Sequence, residues 1–232
     1  MERIWLEHYP KGVPADITDQ AAAYASLADL FEESCRRYAH NTAYISMGAT
    51  MSYARIHEKA QAFAAWLQSQ GVDKGERVAL MMPNLLQYPI CLFGTLMAGA
   101  VVVNTNPLYT PHELHHQLSD SGATTVVVAE NFAGTLQQAM PGTDVKRVVV
   151  TSLGEMLGFP KSLITDLVVR HVKNMVPAWH IPGALRLRQA LEQGARAPYR
   201  RPALSHEDLA ALQYTGGTTG VAKGAMLSHG NL

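Results

Sequence analysis

The chain is short of cysteine, of excess charge and of long apolar runs, and each shortage closes off a class of protein. Cys35 and Cys91 are the only two cysteines among 232 residues, too few and too far apart for a disulfide framework or a Cys-x-x-Cys site. With 19 basic and 19 acidic residues the formal net charge is zero, so no global field attracts nucleic acid or an acidic surface. No stretch reaches the roughly 18–20 apolar residues that a membrane-spanning helix needs. The opening MERIWLEHYPKG carries charges and no apolar run, unlike a secretory signal. Internal repeats and low-complexity tracts are also lacking. These absences fit a reducing cytoplasm.

What is present is an ordinary globular balance, 47% hydrophobic with a mean hydropathy of −0.03, in a length that holds one large domain or two small ones. Leu27, Leu30, Phe31, Cys35 and Tyr38 recur at helical spacing, as do Ile56, Ala60, Phe63, Ala64 and Leu67 between a cap at Ser52 and a stop at Gly71. After Gly75, short apolar runs alternate with helical patterns: RVALMM, LLQYPICLFGTLMAG, AVVVN, PHELHHQLSDSG, TTVVVAE and then VKRVVVTS. Strands that are apolar on both faces and separated by helices predict a doubly wound α/β fold, with a parallel sheet between flanking helices.

From Leu153 to Arg201 the pattern changes. KSLITDLVVRHVKNMV has one apolar face, with Lys161, Arg170, His171 and Lys173 elsewhere. Two expectations fit: a basic amphipathic insertion lying on a membrane surface, or a helix packed on its own domain with its charges in solvent.

Near the end an apolar strand, Leu209–Leu212, runs into TGGTTGVAKG. Glycines allow positive φ and close approach of backbone to a ligand. Successive N–H groups can then form a nest for phosphate oxygens, with hydroxyls from Thr215, Thr218 and Thr219 and a mobile charge from Lys223. The Walker pattern is not met, because Lys223 follows Ala222 and precedes Gly224. Nor is the dinucleotide pattern, because Gly216, Gly217 and Gly220 have the wrong spacing. A flexible linker would not place two threonines and a lysine directly after an apolar strand.

YTGGTTGVAKGAMLSHGNL resembles the signature loop of the adenylate-forming superfamily: acyl-CoA synthetases, peptide synthetase adenylation domains and luciferases. RVALMMPNLLQYPICLFGTLMAGAVVVNTNPLYTPHELHHQLSDSGA is similar to the bacterial long-chain fatty acid CoA ligases. The likeness covers nearly the whole chain and is weakest over 153–201. It implies that residues 1–232 are the N-terminal part of the AMP-binding domain, ending just past the phosphate loop. It implies layered parallel sheets, and a reaction in which a fatty carboxylate attacks ATP to give acyl adenylate and CoA then displaces AMP, with Mg2+ shielding the phosphates. By position, Tyr214, Thr215, Gly216, Gly217, Thr218, Thr219, Gly220, Val221, Ala222, Lys223 and Gly224 match the ATP phosphate loop. The family's catalytic lysine, adenine site, acyl tunnel and C-terminal domain lie further along, so no catalytic residue is assignable in this chain and the isolated chain is expected to be inactive. A cytoplasmic location, peripheral contact with the inner membrane face and a homodimer are compatible with the resemblance.

Two other readings remain. The chain could be a non-catalytic nucleotide-binding or scaffold fragment. His112, Glu113 and His116 also form a His-Glu-x-x-His pattern, the pair of helical ligands and base used by zinc metallopeptidases. Against it, Thr110, Pro111 and Glu113 read as cap, first-turn proline and capping-box acid, with a solvated histidine face. Lys59, Arg77 and Arg147 read as surface charges, Cys91 as a packed thiol, and Phe63 and Trp66 as core.

Overall fold

The computed structural model describes residues 3–15, 23–215 and 222–232. Helix α1 (Leu27–Arg37) starts where Ser26 accepts the Asp29 backbone N–H, and it buries Phe31 and Cys35 while Leu30 stays exposed. A hairpin of β1 (Thr42–Ser46) and β2 (Ala49–Ser52) leads into α2 (Tyr53–Ser69). Ser52 caps that helix by accepting the Arg55 N–H, and the periodic residues Ile56, Ala60, Phe63, Ala64 and Leu67 are fully buried. Gly71, at φ 74°, supplies the left-handed turn that ends it.

Seven strands follow: β3 (Arg77–Met81), β4 (Val101–Asn104), β5 (Thr125–Ala129), β6 (Arg147–Thr151), β7 (Leu185–Arg186), β8 (Leu209–Thr215) and β9 (Lys223–Ser228). They form one sheet in the order β7-β6-β5-β3-β4-β8-β9, parallel except for the β8–β9 pair. The chain lays β4 on one side of β3, adds β5, β6 and β7 on the other, then returns to set β8 beside β4. Ligands in such sheets bind beyond the carboxyl ends of the strands.

Successive strand side chains point to opposite faces, and here both faces are covered. Val78, Leu80, Val102, Val127 and Val149 pack toward α1, α2, α3 (Gln87–Met97) and α7 (Leu187–Gly194). Ala79, Met81, Val103, Val126 and Val128 pack toward α4 (Pro111–Ser121) and α5 (Ala133–Ala139). That is the doubly wound arrangement expected from apolar runs without alternation. Cys91 is wholly buried in α3, and burial drives its thiol pKa far upward.

Within 153–201, α6 (Lys161–Leu167) continues into a π-helical turn, Val168–Val172. Most of its apolar face is exposed, with Leu163 63%, Ile164 57% and Val172 64% exposed and Val169 buried, and Phe159 just ahead of it is 87% exposed. Nor are all of its charges in solvent. Arg170 donates from Nε to Glu130 at 3.1 Å and Arg186 from Nη1 to the same carboxylate at 2.7 Å, with Glu130 fully buried. An isolated buried carboxylate is too costly to keep, so two arginines are drawn in. Residues 185–194 belong to the sheet and its helical layer: β7 pairs with β6, and α7 lies so close to α2 that a Cβ on Gly194 would come within 1.9 Å of the Ala62 carbonyl.

Arg77 and Arg147 depart from the expectation of simple surface charges. Arg77 donates from Nε to Ser121 O at 2.8 Å and from Nη2 to Gly122 O at 2.9 Å, satisfying carbonyls at the end of α4. Arg147 does the same for α2 through Gln70 O. Lys59 is half-buried, and burial lowers the pKa of its amine.

Candidate functional site

The glycine-rich segment joins β8 to β9, whose register sets Thr215 opposite Lys223. A connection this short can join only antiparallel strands, because a parallel pair needs a crossover of a dozen or more residues. Of the expected loop residues, Tyr214, Thr215, Ala222, Lys223 and Gly224 are described, while Gly216, Gly217, Thr218, Thr219, Gly220 and Val221 lie outside the described residues. Thr215 and Lys223 are both exposed at the mouth of the hairpin. Tyr214, 8% exposed, turns inward.

Helix α4 holds both ends of this connection. Its start is fixed by a complete capping box: the Glu113 N–H donates to the Thr110 hydroxyl and the Thr110 N–H to the Glu113 carboxylate at 2.8 Å, with Pro111 in the first turn. Leu114 and Leu118 then face the sheet. That rotation brings His116 and Asp120, one helical turn apart, to the hairpin. The Tyr214 hydroxyl donates to Asp120 Oδ2 at 2.6 Å on one side of the loop. On the other, His116 Nε2 lies 3.3 Å from Ala222 O. A carbonyl only accepts, so Nε2 carries the proton. Burial and the neighbouring Asp120 carboxylate both push the Tyr214 pKa up, keeping the phenol neutral. Gly224 completes the fit, since a Cβ there would sit 2.9 Å from the Tyr214 ring.

A second polar group at the same strand ends carries no sequence signal beyond an Asn closing a valine run. Asn104 pairs with Gln213 in the β4–β8 register. Asn104 Nδ2 donates to Gln213 Oε1 at 2.9 Å and Tyr88 OH to Asn104 Oδ1 at 2.6 Å, while Gln117 Nε2 donates to Asn104 O at 2.9 Å. A cleft of about 750 Å³ lies elsewhere, between α2 and α7, and is lined by Lys59 and the pairs Arg55–Glu58 and Arg188–Glu192. None of the described loop residues borders it. The strand ends are the better site because their exposed threonine and lysine converge on one connection, whereas most of the cleft's charges already neutralise each other.

The His-Glu-x-x-His residues have other tasks. Glu113 is in the capping box, His115 Nδ1 bonds Ala139 O at 2.9 Å and His116 holds Ala222. His115 and His116 are half-buried, contrary to the expected solvated face, and only His112 is exposed. Among the described residues no group of three or more His, Cys, Asp or Glu could hold a metal ion.

A sequence model of the AMP-binding enzyme family matches residues 31–232. The chain belongs to that family. A long-chain-fatty-acid–CoA ligase of Escherichia coli O6:H1 is 52% identical to it over the whole chain, and one of Bacillus subtilis is 33% identical. The chain spans 41% of the length of each of these relatives. Among solved structures, a long-chain-fatty-acid-CoA ligase from Archaeoglobus fulgidus superposes with a TM-score of 0.67 at 27% identity, over 88% of this chain and 37% of that one. A benzoate CoA ligase from Burkholderia xenovorans LB400, at 23% identity and a TM-score of 0.69 over 90% and 35%, shares the fold. Both likenesses support the α/β fold described above.

Proposed function

We propose that this AMP-binding chain supplies the ATP-phosphate grip of a long-chain fatty acid CoA ligase. The observation that carries the reading is the hairpin whose two ends, Tyr214 and Ala222, are both tied to α4 at the carboxyl edge of the sheet, with Thr215 and Lys223 exposed at its mouth. In the reaction a carboxylate oxygen of the fatty acid attacks the α-phosphorus of ATP and pyrophosphate leaves. The sulfur of CoA then attacks the acyl carbonyl, and AMP leaves with the electron pair of the broken C–O bond. Thr215 donates a hydrogen bond to the polyphosphate, and Lys223 offsets the charge that builds on the departing pyrophosphate. The two anchored ends hold Thr215 and Lys223 in place for the nucleotide, so their contribution is positioning and charge stabilisation. No proton transfer is required of these residues.

Magnesium accompanies ATP in this proposal and would neutralise phosphate charge. The described residues contain no group of three or more His, Cys, Asp or Glu that could hold it. The enzyme would work in the cytoplasm, where ATP and CoA are available, with the exposed apolar face of α6 and the flanking Lys161 and Lys173 resting on the inner membrane surface.

The test is ATP–pyrophosphate exchange by the full-length gene product, with palmitate and octanoate. Exchange with palmitate is the expected result, and exchange with neither acid overturns the proposal. The 232-residue chain alone is expected to release no acyl-CoA.

A further inference from the structure

His229 follows the last residue of β9 and is 5% exposed. Its ring reaches helix α1, where Nδ1 accepts the backbone N–H of Leu27 at 3.2 Å. Leu27 is the first residue of α1, so this N–H is one of those that a helix start leaves without an internal partner. Ser26 takes the Asp29 N–H, and His229 takes the one before the turn closes. An N–H can only donate, so Nδ1 is unprotonated and the ring proton sits on Nε2. The His229 backbone N–H in turn donates to Asp208 O at 2.9 Å, just ahead of β8. One residue thus joins the end of β9, the approach to β8 and the start of a helix 202 positions away in sequence.

We propose that His229 is a positioning residue that works as a proton-sensitive latch: neutral, it locks the strand that begins at Lys223 to helix α1, and protonation opens the lock. A protonated imidazole has N–H on both nitrogens. It would then point a donor at the Leu27 donor, next to the positive end of the helix dipole.

The groups around the ring set where this happens. Burial holds the imidazole below its ordinary value and outweighs the Asp208 and Asp29 carboxylates, which favour the charged ring, while Lys74 and His206 disfavour it. Both carboxylates are already engaged, Asp208 by Lys74 at 2.8 Å and Asp29 by Arg201, which also pairs with Glu32 at 2.8 Å. His206 is held by the Tyr24 carbonyl. The unfolded chain takes up the proton at the ordinary imidazole pH and the folded chain only below it. Stability therefore falls as pH drops from the ordinary value to the depressed one, and levels off beneath.

The experiment uses the 232-residue chain without nucleotide, so its outcome stands apart from the ligase reading. Long-range proton–nitrogen NMR reads the tautomer and titration of His229. Hydrogen exchange, corrected for intrinsic rates, reads residues 24–30 and 223–228. The expected result is an Nε2–H tautomer at pH 7 that titrates below the ordinary imidazole value. Protection of both segments falls together on acidification, by about tenfold for each unit by which folding depresses the ring's pKa. His229→Asn keeps an acceptor near the Nδ1 position but cannot titrate, and it holds that protection at low pH, whereas His229→Gln, whose amide reaches the Nε2 position, does not. Titration at the ordinary value with unchanged protection overturns the latch, and so does acid sensitivity that persists in His229→Asn. Should the variants fail to fold, the titration of the unaltered chain decides.

Discussion

Tyr214 donates a hydrogen bond from its hydroxyl to Asp120 at 2.6 Å while its ring faces Gly224, so one side chain fixes the end of β8 to α4 and the start of β9 to β8. The ring cannot move aside without breaking the bond to Asp120. Gly224→Ala is expected to destabilise the chain by about 1–3 kcal/mol through overpacking, and Tyr214→Phe by about 1 kcal/mol through the lost hydrogen bond. In the double variant Tyr214→Ala/Gly224→Ala the glycine change should cost much less than it does alone, because the ring it strikes is gone. Urea denaturation of the parent, Tyr214→Ala, Gly224→Ala and the double variant measures the coupling, and simple additivity would contradict the packing described.

Lys223 is exposed, and no ion pair engages it among the described residues. Lys223→Ala is therefore expected to change stability by no more than about 0.5 kcal/mol, while lowering palmitate-dependent pyrophosphate exchange of the full-length protein by about 100-fold. Thermal melting and exchange on the same sample separate the two effects. Equal loss of both would assign the lysine to folding instead.

Glu130 is the buried anchor of the segment that carries α6. Glu130→Gln removes the buried charge and leaves Arg170 and Arg186, each 39% exposed, facing a neutral partner, and the lost charged hydrogen bonds, screened by solvent on the arginine side, are expected to cost about 1–2 kcal/mol. The loss should be local. Hydrogen exchange is expected to rise first in 168–186, and a rise spread evenly over the sheet would argue against the anchoring role.

The exposed apolar face of α6 leads to a surface-binding prediction. Leu163→Glu with Ile164→Glu, at positions 63% and 57% exposed, should abolish cosedimentation with anionic phospholipid vesicles and leave the melting temperature unchanged. Parent protein that stays in the supernatant with such vesicles would remove the membrane from the proposed function.

Local signals were legible because they need only neighbours along the chain. The capping box of Thr110 and Glu113 was readable from spacing alone, and so were the Ser52 cap and the two-sided apolar strands. The π-helical turn after α6 and the exposure of its apolar face were not, because periodicity describes a face without saying what covers it. Arg77, Arg147 and Arg170 misled for a related reason: a charge in a polar pattern gives no hint of which helix end or buried carboxylate it will meet.

By itself the sequence determined the alternation of strands and helices, their caps and the glycine-rich connection after β8. Those depend on residue type at spacings of two to four, where φ, ψ and side-chain direction are set locally. Only the tertiary structure decided which residues meet at that connection and at the far end of the β8–β9 hairpin. Asp120 reaches Tyr214 across 94 positions, Asn104 meets Gln213 across 109 and His229 meets Leu27 across 202. These meetings exist because the sheet order sets β8 beside β4, and strand order is chosen by the packing of both faces at once rather than by any single segment.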